Sequence, residues 1–187
     1  MKTTAIRAML ALMLASVAQV DAAQAEETST EHSHKSGGIL AAGEGEKLLF
    51  NDGRVVLLKV DEQTTGSQDL LMGFEHIPPG LRIPVHRHDG YEEILFVHRG
   101  VATLRLGEQE VEVEEGATMH VPPGTWHGVA NTGDANATVL FIFPTTEMGD
   151  FFRRITHREG EPPRELSPED WAEIMRVHQM AVPTGED

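Results

Sequence analysis

The sequence contains no cysteine in its 187 residues. Disulfide bonds are therefore excluded, and so is a lipid-modified N-terminal cysteine. Aromatic residues are also scarce, at 5% of the chain, with a single tyrosine at position 91. The chain must therefore be stable without covalent cross-links, and chemistry that needs a phenol side chain has one candidate.

Apolar runs long enough to cross a membrane are missing as well. The run near the start, residues 8–20, has 13 mostly apolar residues, whereas a spanning helix needs about 20. Lys2 and Arg7 precede this run, and Ala23-Gln24-Ala25 follows it as a small-x-small cleavage pattern. This arrangement is typical of a secretory signal peptide over residues 1–25. It predicts a periplasmic or secreted protein with no membrane attachment after cleavage.

Positive charge is the third deficit, with 15 lysines and arginines against 30 acidic residues and a net charge of −15. Removal of residues 1–25 would leave 162 residues with a net charge of −16. That length suits one domain with a real core. An acidic surface argues against nucleic acid and anionic membranes as partners.

Residues 26–38 are polar, lack an apolar period and are predicted to form a disordered leader. His32 and His34 lie in this leader two positions apart. Nothing around them would hold their geometry, so we expect only loose metal binding there.

From residue 39 the chain shows short apolar segments separated by turn residues, which predicts an all-β domain over residues 39–145. The alternation is clearest in residues 101–115, where glutamates alternate with Val111 and Val113. We expect the glutamates to face solvent and the valines to line the barrel or its sheet interface.

Residues 146–187 change to a helical period and are predicted to form a C-terminal extension of one or two helices. Residues 147–155 fit a short helix. Ser167 and Pro168 have the residue types of a helix N-cap and first helical position. We expect this second helix to pack on the outside of the barrel or across a dimer partner.

A metal site is predicted from the spacing of the histidines. His86 and His88 are two residues apart, so both leave a strand on the same face. Asp89-Gly90 is a turn dipeptide, after which a carboxylate of the next strand can return beside them. His127 restarts a strand after a Pro-Pro-Gly corner. Three imidazoles and one carboxylate suit one divalent Fe, Mn, Co, Ni, Cu or Zn ion rather than Ca or Mg.

The two segments resemble the two signature motifs of the cupin superfamily. They read G-x5-H-x-H-x4-E-x6-G over residues 80–100 and G-x5-P-x-G-x2-H-x3-N over residues 116–131. The resemblance implies a cupin double-stranded β-helix, a small jelly-roll barrel, and a possible homodimer. It assigns metal-ligand roles to His86, His88, Glu93 and His127. Glu92 is the rival for the acidic ligand, but the six-residue spacing to Gly100 favours Glu93.

Three further residues are candidates for chemistry beyond metal binding. Arg82 shares strand parity with His86 and would clamp a substrate carboxylate if Pro84 does not break the phase; otherwise it is a rim arginine. Tyr91 is either a proton donor or base near the metal or a packing residue. His120 is either a group that orients a ligand or acts as general base, or a strand histidine facing the other way.

These features predict an exported metal-dependent oxygenase or decarboxylase acting on a small oxygenated acid or phenol. Four protein ligands leave open positions on an octahedral ion for such a substrate. Two alternatives stand beside this function. One is a non-catalytic barrel that binds a small ligand or a metal, and the other is a redox-neutral isomerase or lyase.

Overall fold

A computed structural model describes residues 37–183. The predicted signal peptide, the leader up to residue 36 with His32 and His34, and residues 184–187 lie outside the described part. Residues 37 and 38, the end of the predicted leader, are exposed and have no regular secondary structure. Within the described part, no helix is long and apolar enough to cross a membrane.

Short strands dominate the described residues, as the sequence predicts. The eleven strands, numbered in chain order, are β1 Glu46–Leu49, β2 Val55–Val60, β3 Leu71–Ile77, β4 Arg82–His88, β5 Glu93–Arg99, β6 Ala102–Leu106, β7 Gln109–Val113, β8 Thr118–Val121, β9 His127–Asn131, β10 Ala137–Phe143 and β11 Met180–Ala181. Residues 37–183 also form two helices, α1 Glu147–Ile155 and α2 Pro168–Val177.

The strands form two antiparallel sheets. One has six strands in the order β1-β2-β3-β10-β5-β8, and the other has five in the order β11-β4-β9-β6-β7. From β3 to β10 consecutive strands alternate between the sheets, except for the hairpin of β6 and β7, which lies within the five-stranded sheet. This is the connectivity of a small jelly-roll barrel. The prediction of an all-β barrel with one or two C-terminal helices is confirmed, with two helices among the described residues.

The inner face of the six-stranded sheet follows the period of two. In β3, every second residue from Leu71 to Ile77 is buried, and in β10 Val139, Phe141 and Phe143 are buried. Gly73 lies in the middle of β3 opposite Phe141. A Cβ atom at Gly73 would stand 2.5 Å from the Phe141 ring and 2.9 Å from the backbone oxygen of Leu57. The missing side chain therefore makes room for the Phe141 ring.

Strand β7 departs from the sequence prediction. Val111, expected to line the barrel, is 42% exposed, whereas Val113 is partly buried against the core. The prediction for Val111 is wrong because β7 is the edge of the five-stranded sheet and pairs only with β6. Residues on the inner face of an edge strand are not necessarily covered by the opposite sheet.

The C-terminal extension lies over an opening of the barrel. Ser167 accepts a hydrogen bond from the Asp170 amide and forms a capping box at the start of α2, as its residue type predicts. Trp171 and Met175 of α2 line the central cavity, and β11 pairs with β4. The helix thus covers a cavity of its own chain with part of its apolar face.

The Gly73 contact generates a stability prediction. We expect Gly73→Ala to lower the free energy of unfolding by about 1–3 kcal/mol, because the added methyl overpacks a rigid ring and a strand backbone. Gly43→Ala is the matched control, since nothing lies within 4 Å of a Cβ atom there. Urea unfolding of both variants measures the difference. Equal stabilities would show that the sheet yields at Gly73 without cost.

Candidate metal centre

Four side chains converge inside the barrel at the positions that the motifs indicate. One ligand atom from each of His86, His88, Glu93 and His127 lies within 4.8 Å of the others. His86 and His88 come from β4, Glu93 from the start of β5 and His127 from the start of β9. Two neighbouring strands of one sheet and one strand of the other therefore build the group. The spacing in the sequence places two of the histidines, and the fold brings in the other two residues.

A β-bulge in β4 decides which residues of this strand face inward. Ile83 pairs with Val129, but His86 pairs with His127, so the register shifts by one residue between these two pairs. A bulge adds one residue to a strand, so the residues before it point to the opposite sheet face from the one that strict alternation predicts. As a result, Ile83 lines the cavity together with His86 and His88.

Backbone carbonyl groups orient two of the imidazoles. Nδ1 of His86 lies 2.8 Å from the oxygen of Pro84, and Nδ1 of His127 lies 3.0 Å from the oxygen of Thr125. An Nδ1–H that donates to a carbonyl leaves the Nε2 lone pair for a metal, which is the usual arrangement around metal-binding histidines. Both rings are thus held in a tautomer suited to metal binding.

The contact between His127 and Glu93 shows that a cation or an extra proton is needed. Nε2 of His127 lies 2.9 Å from Oε2 of Glu93. A neutral imidazole has one N–H, so a ring that donates from Nδ1 to Thr125 presents a lone pair to the carboxylate. Two acceptors at this separation repel unless a positive charge lies with them.

His88 is the third sign that a metal fits. Its side chain is buried, and neither ring nitrogen has a hydrogen-bond partner among the residues that the structure describes. Nε2 of His88 lies 3.5 Å from Oε2 of Glu93. Buried polar atoms are nearly always paired, and metal binding at this group would satisfy Nε2.

The protonation states also suit metal binding. Burial alone would raise the pKa of Glu93, but the neighbouring imidazoles of His127 and His88 lower it to about 2. Burial and the neighbouring histidines lower the pKa of His86 to about 3. Metal ligands must be deprotonated, so an ionised Glu93 and a neutral His86 are ready to bind near neutral pH. The four residues fit a divalent transition metal.

The group opens into a cavity of about 670 Å³, which is within the range of small-molecule sites. Six aromatic rings contribute to its wall, together with aliphatic and methionine side chains. The aromatic residues are Phe50, Phe141, Phe143, Phe151, Phe152 and Trp171. Such a wall accommodates a flat, apolar molecule.

The structure does not bring Arg82 or His120 to this cavity. Arg82 is exposed because the bulge after Ile83 breaks its phase with His86. His120 is also exposed, and its Nε2 lies 2.8 Å from Oε2 of Glu92 on the outside of the barrel. Glu92, the rival ligand, is thus turned away from the group, whereas Glu93 joins it.

Tyr91 is buried beside the group but its hydroxyl is used elsewhere. The ring centroid lies 5.1 Å from that of His88. The hydroxyl lies 2.9 Å from the carbonyl oxygen of His178 and 2.8 Å from Sδ of Met148. Burial raises its pKa above the ordinary value of 10.0, so this phenol is a donor to the C-terminal segment and not a base.

Sequence reasoning missed a buried charged pair in the cavity wall. Nη1 of Arg54 donates to Oε1 of Glu75 over 2.8 Å, and both side chains line the cavity. Glu75 is 3% exposed. The available signal was parity, since Glu75 shares its strand face with Leu71 and Ile77 and therefore points into the core. An acidic residue on the apolar face of a strand marks an unusual position.

The titration of Glu75 can be tested through stability. Burial raises the pKa of Glu75 from 4.5 to about 7, although Arg54 opposes this shift. The folded state then holds a proton that the unfolded chain releases, so the stabilisation is full below pH 4.5 and is lost as the pH rises to about 7. We expect the difference in unfolding free energy between wild type and Glu75→Gln to fall over this interval and to stay constant above it.

Urea unfolding of both proteins between pH 4 and pH 8 measures this difference, and histidine titrations common to both cancel. A difference that instead rises with pH through about 4 would show that the charge of Arg54 outweighs burial and keeps Glu75 ionised.

Comparison with known proteins identifies a cupin domain in the middle of the chain. Residues 73–143 match the family model described as Cupin domain. An uncharacterized protein of Methanocaldococcus jannaschii is 31% identical over 64 residues, which cover 34% of this chain and 51% of that protein. Quercetin 2,3-dioxygenase of Bacillus subtilis is 32% identical over 89 residues, which cover 48% of this chain and 26% of that protein. The chain thus spans about half of the first relative and a quarter of the second.

Solved structures agree on the fold. An RmlC-like cupin of Shewanella frigidimarina superposes with a TM-score of 0.52 at 16% identity, covering 62% of this chain and 98% of the other. At this identity the likeness shows the fold alone. The matched segment contains His86, His88, Glu93 and His127. The two motifs, the barrel and the family match agree that residues 73–143 of this chain form a cupin domain.

Proposed function

We propose that this protein is an exported metal-dependent oxygenase or decarboxylase that acts on a small oxygenated acid or phenol. The metal would be one divalent transition metal ion held by His86, His88, Glu93 and His127. Within the two substrate classes, a phenol fits better because the cavity wall is largely aromatic and aliphatic. Export rests on the pattern of residues 1–25, and homodimerisation rests on the family resemblance; both stay predictions.

The observation that carries this proposal is the opening of the four-residue group into the cavity of about 670 Å³. A structural metal site is usually closed by its protein ligands, whereas a catalytic site faces a space for substrate. A bound transition metal would supply Lewis-acid stabilisation of a phenolate or carboxylate and, with a redox-active ion, electrons for dioxygen chemistry.

The residues of this chain have three tasks in the proposed reaction. The imidazoles and Glu93 hold the ion, and the carbonyl oxygens of Pro84 and Thr125 keep two of the rings in orientation. Phe141 and Phe143 pack against the substrate and exclude water from the reacting atoms. Trp171 and Met175 close the cavity from the C-terminal side.

Similarity to quercetin 2,3-dioxygenase of Bacillus subtilis supports an oxygenase acting on a phenolic compound. The support is limited to the barrel segment that the two proteins share. The aromatic wall of the cavity is an independent argument for the same substrate class.

A second candidate is a non-catalytic barrel that binds a small apolar ligand. It is favoured by the placement of Arg82, Tyr91 and His120, since none of the three presents a polar group to the cavity. A relative from Thermotoga maritima, 26% identical over 66 residues, carries the name oxalate-binding protein and supports a binding function. The two candidates differ in turnover and agree on metal binding.

Metal binding is tested first. We expect wild-type protein to hold about one transition metal ion per chain. His88→Ala should lose the ion, because the buried Nε2 of His88, which has no hydrogen-bond partner among the described residues, is then absent. His98→Ala is the matched control, since His98 is an exposed histidine on the same strand as Glu93. Elemental analysis after metal loading and desalting measures the content. Equal content in the two variants would contradict the assignment of the four ligands.

Turnover is tested with protein loaded separately with Fe, Mn, Co, Ni, Cu or Zn. We expect at least one redox-active metal to support dioxygen consumption with quercetin or catechol, and Zn to support none. Oxalate is the small-acid comparison, with carbon dioxide release as its readout. Binding of the phenols without consumption under any metal would favour the binding protein over the oxygenase.

A further inference from the structure

The buried pair Arg54–Glu75 is a polar feature of the cavity wall that metal binding does not use. Arg54 is held on several sides: Nη1 contacts Glu75 at 2.8 Å, Nε contacts Asp52 at 2.9 Å, and the guanidinium lies 4.2 Å from the centroid of the Phe50 ring. The arginine is therefore fixed and holds Oε1 of Glu75. Among the described residues, Oε2 of Glu75 has no hydrogen-bond partner, although the side chain lines the cavity.

A buried charged pair is costly in a barrel of this kind. Removing two charges from water costs several kcal/mol per ion, and a well-packed apolar pair is often as stable or more stable. Neighbouring inward residues of the same sheet, such as Val56 and Val139, are apolar and fully buried. The pair is thus not required by packing. Glu75 lines the cavity, and its Oε2 has no hydrogen-bond partner among the described residues.

The register of the six-stranded sheet separates this pair from the metal group. Glu75 lies opposite Val139 on β10, whereas Ile94, the neighbour of Glu93, lies opposite Ile142. Three residues along a strand correspond to roughly 10 Å. Phe141 lies between these positions on β10 and lines the same cavity. Along the strand direction, Phe141 therefore separates Glu75 from the metal group within the cavity wall.

We propose that Glu75, oriented by Arg54, is a second polar anchor that accepts a hydrogen bond from a hydroxyl at the end of the ligand remote from the metal. This inference rests on the proposed function, since it takes the other end of the ligand to bind the metal group. The substrate class is then an aromatic compound with a metal-binding oxygen at one end, a ring system in the middle and a hydroxyl at the far end. Because burial raises the pKa of Glu75 to about 7, the hydrogen bond to the ionised carboxylate is tested at pH 8.

Two naphthalene acids test this arrangement as a matched pair. 3-Hydroxy-2-naphthoate and 3,7-dihydroxy-2-naphthoate share the same chelating carboxylate and hydroxyl, and only the second has a hydroxyl at the opposite end of the rings. Affinities are measured by fluorescence titration with zinc-loaded protein, which needs no turnover. We expect wild type to bind the dihydroxy compound about tenfold more tightly, the effect of one hydrogen bond to a charged group.

Variants assign the preference to its source. The double variant Arg54→Met/Glu75→Leu removes both charges together, so that neither is left unpaired, and should bind the two compounds equally. In Glu75→Gln, Arg54 keeps the amide oxygen and the amide nitrogen replaces Oε2, so the preference should fall to about threefold or less. His88→Ala, which is expected to lose the metal, should weaken both compounds, because the carboxylate and hydroxyl that they share are then no longer chelated.

The outcomes separate the two proposals. Equal affinity of the two compounds for wild type, absence of binding of the dihydroxy compound, or a preference that persists in both Glu75 variants would overturn the second anchor. A preference that disappears in those variants supports it, even where no metal supports dioxygen consumption. In that case the proposed oxygenase activity is contradicted, whereas the second anchor is supported as part of a ligand-binding site.

Discussion

The buried carboxylate of Glu93 is the group on which the site depends. It lies inside an apolar barrel, where an uncompensated charge is expensive, and it is surrounded by three imidazoles within 4.8 Å. The backbone carbonyl contacts of His86 and His127 use their Nδ1 atoms, so the imidazoles turn their Nε2 atoms inward. A carboxylate and lone pairs that face one another require positive charge, and a single divalent cation supplies that charge. All four residues lie in strands, and strands hold metal ligands more accurately than loops do.

The strand that contributes two of the histidines is supported from the C-terminal side. Met180 pairs with His88, the Asp89 amide donates to the oxygen of Gln179 over 2.8 Å, and the Tyr91 hydroxyl donates to His178. The segment that closes the cavity is therefore hydrogen-bonded to the strand that holds the candidate metal ligands. Access to the cavity and the position of His88 are linked through this short strand pairing.

Much of the fold and of the metal group could be predicted from local patterns. The period of two and the turn residues indicate an all-β domain, and the residue types of Ser167 and Pro168 locate the start of a helix. The three candidates Arg82, Tyr91 and His120 show the limit of this reasoning. Parity predicts the facing of Arg82 only in a regular strand, and the bulge between Ile83 and His86 reverses it. Tyr91 and His120 acquire their partners, His178 and Glu92, from distant parts of the chain.

The sequence by itself determined the fold class, the helix cap and the four candidate ligands, because each depends on the spacing of residue types over a few positions or on a motif that contains all its members. Only the tertiary structure decided which polar residues share the cavity. Arg54 directly precedes β2 and Glu75 lies in β3, so their pairing depends on the register between β2 and β3. The C-terminal residues that close the cavity are far along the sequence from the strands that line it. Strand order, register and the position of one bulge are collective properties of the packed sheets, and for that reason they could not be read from single segments.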